Sequence, residues 1–220
     1  MNSGQEAHFE RLNQELQTLR QSIINAWSDE ERESFQERVS KRFLLLSAHH
    51  AEGVTNLHAT NRHEPAVALY RVTFETTARA AWAATMVSET ALNNRIEKDS
   101  FPKVGDIMAG LRDQQKASTD LQDRERLNFI LGIMDAYWAK DGRDLWHDFA
   151  HSGQTALLSE YTDDQIEHFR LLSITVAMTV SGTTQFLFDR STDAWTVADD
   201  LSRQWADILK EDRQSDLPHS

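Results

Sequence analysis

The sequence predicts an all-α protein, a helical bundle of about six to eight helices. Three observations predict it. Ala and Leu are the commonest of the 220 residues and, with Glu, Gln and Arg, give a helix-former composition. Apolar side chains recur at steps of three and four along most of the chain. Three Pro and eight Gly are too few for the frequent turns of a β-sandwich, and no segment alternates as a strand.

The elements follow in order. Phe9, Leu12, Leu16, Leu19, Ile23 and Ala26 form an a/d-like seam on a helix over residues 5–27. This stretch, 1–27, is read as an N-terminal amphipathic helix for packing or association, ahead of a bundle domain over 28–210 and a disordered tail over 211–220. Ser28 and Glu31 have capping-box spacing, so a second helix is expected to open there and run to about residue 60. "NRHEP" (61–65) breaks it, with Pro65 suited to the first turn of the next helix. Residues 65–88 are rich in Ala and small side chains and predict a central, closely packed helix. "NNRIEKDSFPK" (93–103) reads as a loop, followed by a short helix carrying Val104, Ile107, Met108 and Leu111. Ser118 or Thr119 can cap a helix over 120–139. Thr162 with Gln165 forms a second capping box before a helix over 163–189 that is apolar almost all round. A last amphipathic helix carries Trp195, Leu201, Trp205 and Ile208.

Composition narrows the function classes. The absence of Cys removes disulfides and thiolate metal sites. The first residues, MNSGQEAHFERLNQ, lack the basic and apolar blocks of a secretory leader, so a cytoplasmic protein without a membrane span is expected. A net charge of −12 argues against broad, sequence-blind nucleic-acid binding, which needs a basic footprint, but leaves room for a small phosphate site.

Chemistry concentrates in "LWHDFAHSGQTALL" (145–158). On a helix, Arg143, His147 and His151 share one stripe, and Asp144 and Asp148 each lie three residues before a histidine. Four readings stand side by side. Two His at i, i+4 suit Zn²⁺, but no third ligand is placed and no Glu-x-x-His occurs, so no metal or other cofactor is assigned. The histidines can instead act as base and acid on a phosphodiester, with Arg143 holding the developing charge. They can form a pH-responsive surface. Or they end a helix, His favouring its C-terminus and Gly153 capping it.

A second constellation is "RVTFETTAR", which sets Arg71, Glu75 and Arg79 at successive i, i+4 steps. It reads as an intrahelical salt-bridge row, or, with Glu75 turned inward, as a carboxylate that orients a histidine of the 147–151 stretch. His49, His50, His58, His63 and His168 read as structural.

Two segments together carry a resemblance. "YRVTFETTARAAWAAT" (70–85) and "LWHDFAHSGQTAL" (145–157) resemble paired motifs of bacterial helical proteins related to the HEPN (higher eukaryote and prokaryote nucleotide-binding) group. The resemblance spans roughly residues 40–190 and implies a four- or five-helix core, often dimeric, in toxin–antitoxin or phage-defence settings. It implies a homodimer, a protein partner such as an antitoxin, and an RNA or nucleotide ligand. Active members are metal-independent RNases with Arg, a polar residue, three variable residues, then His. With that His on His151, the polar position is His147 and the Arg position is Trp146, which has no guanidinium. Arg143, one turn earlier, stands nearest. Relatives without the motif serve as non-catalytic dimerisation or partner-binding modules, which is the competing expectation here.

Overall fold

The computed structural model describes residues 3–27, 33–137 and 161–215. The described residues form eight helices and no strand: α1 (Ser3–Ala26), α2 (Phe35–Ala59), α3 (His63–Thr85), α4 (Glu89–Glu97), α5 (Val104–Ala117), α6 (Leu121–Tyr137), α7 (Asp163–Leu187) and α8 (Asp193–Ser215).

Local chemistry sets the boundaries. Ahead of α2 the pattern Ser-x-x-Glu stands at Ser28–Glu31 and again at Ser34–Glu37, and the later copy caps α2. Ser34 Oγ accepts the Glu37 N–H at 3.2 Å while Glu37 Oε2 accepts the Ser34 N–H at 2.8 Å. α2 therefore opens at Phe35, later than the expected start; Ser28 and Glu31 lie outside the described residues. Thr162 and Gln165 form the expected box before α7, at 3.3 and 2.9 Å. Between α2 and α3 the chain turns through Asn61 at φ 60°, a left-handed conformation that Asn tolerates. α3 then begins at His63, two residues before Pro65.

One expectation is corrected. The stretch read as a loop from Asn93 starts inside α4, which runs from Glu89 to Glu97. Ser88 Oγ accepts the Ala91 N–H at 3.3 Å, and a single side chain, Leu92, is fully buried. One buried residue leaves no periodicity to detect, so the cap and that anchor decide the element.

Packing is organised around α7, which touches α1, α2, α3, α6 and α8. α2 and α3 form the most extensive pair. Small residues let them approach: Ser47 Oγ donates to the Thr73 carbonyl at 3.0 Å, and Ser40 Oγ to that of Ala80 at 2.7 Å. The α1 seam is satisfied within the subunit, with Phe9, Leu12, Leu16, Leu19 and Ile23 all buried against α2, α7 and α8. Burying each such side chain is worth roughly 1.5–3 kcal/mol. Glu15 then ties α1 to α8, accepting from Trp205 Nε1 at 2.7 Å and Gln204 Nε2 at 3.0 Å. No helix among the described residues is long and apolar enough to cross a membrane.

Candidate functional site

Of the candidate residues, Arg143, Asp144, His147, Asp148 and His151 lie outside the described residues. Glu75 and Arg79 are described, on α3. Arg71 Nε donates to Glu75 Oε1 at 2.9 Å, and Arg79 Nη2 to Glu75 Oε2 at 3.3 Å, so each carboxylate oxygen has a guanidinium from its own helix. The row is half-exposed, with Arg71 the most open side chain and Glu75 only a quarter exposed. Arg79 also lies 5.5 Å from the centroid of the Phe101 ring, which packs edge-on to Phe43 and Trp82. Such a row is a surface device worth a few tenths of a kcal/mol per pair.

The same helix carries a different cluster on its buried face. His58, near the end of α2, and His63, the first residue of α3, meet across the Asn61 turn with their Nδ1 atoms 2.7 Å apart. Tyr70, two turns into α3, reaches His58 Nε2 at 2.9 Å and Ser173 Oγ at 2.8 Å. His58 is stacked between Phe9 of α1 and Phe169 of α7, at centroid distances of 5.0 and 5.1 Å. Four helices thus converge on one imidazole.

Hydrogen-bond bookkeeping constrains the protons. Only one of two Nδ1 atoms at this distance can carry a hydrogen. If His63 Nε2–H donates to Asn61 Oδ1, at 2.9 Å, then neutral His63 accepts at Nδ1 from His58 Nδ1–H. His58 Nε2 is left to accept from the Tyr70 hydroxyl, and Ser173 donates to the Phe169 carbonyl at 2.8 Å. Every group is satisfied with both rings neutral. The Tyr70 hydroxyl also lies 3.0 Å from the Phe169 carbonyl. If it turns there, His58 donates from Nε2 and accepts at Nδ1, and His63 can be a cation without losing a bond. The cluster therefore accommodates one added proton without losing a hydrogen bond.

Burial opposes that proton. It holds His58 down at about 3, with the neighbouring His63 adding to the effect. Burial lowers His63 too, against a raising influence from the Glu64 carboxylate. Burial pushes the Tyr70 hydroxyl well up, partly offset by its Ser173 hydrogen bond. Tyr161 packs edge-on against His63 at 5.1 Å. Fully buried histidines are closed to a substrate, and the cluster is an organising element of the core. The structural reading of His58 and His63 agrees with their place in the core, but their meeting is not predicted; the signal available is their five-residue spacing across the "NRHEP" break.

The described residues contain no group of three or more His, Asp or Glu side chains able to hold a metal ion. No curated protein and no solved structure matches the chain. Residues 44–209, from within α2 into α8, match a family of unknown function (DUF6988), and the chain belongs to that family.

Proposed function

We propose that this protein is a HEPN-like helical protein of the toxin or defence type. In this reading it binds RNA or a nucleotide and cleaves RNA without a metal ion at His147 and His151. One histidine removes the proton of a 2′-hydroxyl and the other protonates the leaving oxygen, while Arg143 holds the developing phosphate charge. Asp144 and Asp148 orient the imidazoles. A homodimer and an antitoxin-like partner, in the cytoplasm, belong to the same reading. What supports it is the α3 segment that carries half of the resemblance: Arg71, Glu75 and Arg79 stand in one half-exposed row, available to an anionic ligand or a neighbouring histidine.

The test is incubation of the full chain with mixed cellular RNA, with and without EDTA, beside a His147→Ala/His151→Ala variant. Cleavage that survives EDTA and vanishes in the variant is the expected result. Wild-type protein that leaves RNA intact would overturn the nuclease reading.

A second reading, a non-catalytic partner-binding module, draws on a different observation. Leu46 of α2 and Val72 of α3 remain about two-fifths exposed, whereas the α1 seam is already buried inside the subunit. In that case Leu46→Glu and Val72→Glu lower the sedimentation coefficient while leaving the helical content intact. An unchanged sedimentation profile would remove this version.

A further inference from the structure

The end of α7 gathers cations over aromatic rings. Among the described residues, three of the five cation–π contacts surround it: Arg126 lies 5.1 Å from the Phe186 centroid, Lys41 5.0 Å from Phe188, and Arg190 5.5 Å from Trp195. In a chain of net charge −12, such a cluster needs a reason.

The turn into α8 holds these groups in place. Asp189 Oδ1 accepts the Ser191 N–H at 2.9 Å, and Thr192 Oγ1 accepts the Trp195 N–H at 3.2 Å, which holds the turn that brings Arg190 over Trp195. Arg126, on α6, donates to the Phe186 carbonyl and spans from α6 to the end of α7. Hydrogen bonds from Ser191 hold the Asp189 carboxyl below the usual carboxylate range, and the positive charges of Arg126 and Arg190 add to that.

Between α6 and the α7–α8 turn lies a groove of about 540 Å³, with Phe129 and Trp195 among its walls and two guanidinium groups, Arg126 and Arg190, set beside two carboxylates, Glu125 and Asp189. Phe129 is 42% exposed, so its ring is open to a planar group entering the groove. It packs on Gly182 of α7, where an added Cβ would come within 3.3 Å of its ring. A second groove of about 500 Å³ shares Arg126, Phe186 and Leu187 with the first and extends it toward Lys41 and Gln114. The Gln114 Oε1 atom is buried there without a hydrogen-bond partner.

We propose that this groove binds a nucleotide, free or as a unit of single-stranded RNA. Its base stacks on Trp195 or Phe129, and its phosphate meets Arg126 and Arg190. Aromatic faces beside guanidinium groups are the combination that holds bases and phosphates without reading sequence. Asp189 adds a condition: a bare polyanion is repelled, whereas a sugar hydroxyl or base N–H can donate to it. The ligand therefore carries both a ring system and a single phosphate at this point. The inference uses only residues of α6, α7 and α8 and is independent of any chemistry at His147 and His151.

The experiment is calorimetric titration of the full chain with AMP, with a six-nucleotide oligo(A) RNA, and with adenosine and inorganic phosphate as half-ligands. The expected result is saturable binding of AMP, of the oligonucleotide or of both, with each half-ligand weaker by about tenfold. Tighter binding of the oligonucleotide identifies a strand as the source, and equal binding identifies a free nucleotide. Trp195→Ala should weaken it by about tenfold or more. Because Trp195 also packs on the core, Arg126→Gln/Arg190→Gln, at exposed positions, provides the second variant and should weaken binding and remove its salt dependence. The His147→Ala/His151→Ala variant should bind as the wild type does. No saturable binding, phosphate binding as tightly as AMP, retained affinity in both groove variants, or loss in the histidine variant would each overturn the assignment.

Discussion

Tyr70 and Arg71 are neighbours in sequence and belong to opposite worlds. Tyr70 faces inward, fully buried, and its hydroxyl is shared among His58, Ser173 and the Phe169 carbonyl. Arg71 faces outward and shares Glu75 with Arg79. Both clusters are polar, both are networks, and one helix carries a part of each. They differ in what surrounds them. In the core, an unpaired polar group costs its full desolvation, so the hydrogen bonds around Tyr70 hold four helices in one arrangement. On the surface, water replaces any lost partner, and the Glu75 row changes little but the local field.

The largest expected effect separates the two at once. His58→Ala opens a hole between Phe9 and Phe169 and orphans His63 and Tyr70 as well. It should cost roughly 3 kcal/mol or more, read as a lower denaturant midpoint at an unchanged slope. A loss below about 1 kcal/mol would mean that the corner repacks and does not organise the core.

The next effect is in pH. The folded state resists protonating His58 and His63, while the unfolded chain takes up those protons below about 6.5. The unfolded state then binds more protons, so stability rises with pH. It is fully present above about pH 6.5 and is lost as pH falls toward the folded value of about 3 for His58. Each resisting histidine contributes a slope of up to about 1.4 kcal/mol per pH unit. Denaturation at pH 7 and pH 5 should show the fall, and a flat profile would show that the folded histidines take up protons as readily as the unfolded ones.

Tyr70→Phe keeps the ring and removes only the shared hydroxyl. About 1–2 kcal/mol should be lost, measured at pH 7 where both histidines are neutral. A cost near zero would indicate that the Ser173 and Phe169 bond suffices alone.

The smallest effect belongs to the surface. Glu75→Gln should change stability by only a few tenths of a kcal/mol. A loss above about 1 kcal/mol would give Glu75 a partner beyond Arg71 and Arg79, as the proposed role beside His147 and His151 requires.

How much of this was legible in the sequence depends on the reach of each interaction. The Arg71–Glu75–Arg79 row was legible because i, i+4 contacts are fixed by helix geometry. The α1 seam was legible as a seam, and the Thr162–Gln165 cap as a cap, for the same local reason. α4 was not, since a nine-residue helix with one buried side chain leaves no period to read. The candidate stripe at Arg143, His147 and His151 lies outside the described residues.

The sequence alone determined the fold class, most of the helix limits and which side chains share a face, because a 3.6-residue period and capping chemistry act over a few residues. Only the tertiary structure decided which face would be covered and by what. His58 meets His63 because Asn61 turns the chain through a left-handed conformation, and Tyr70 meets Ser173 across 103 residues. Arg126 reaches Phe186 across 60. Contacts at such separations follow from how helices pack in three dimensions, and no local period encodes them.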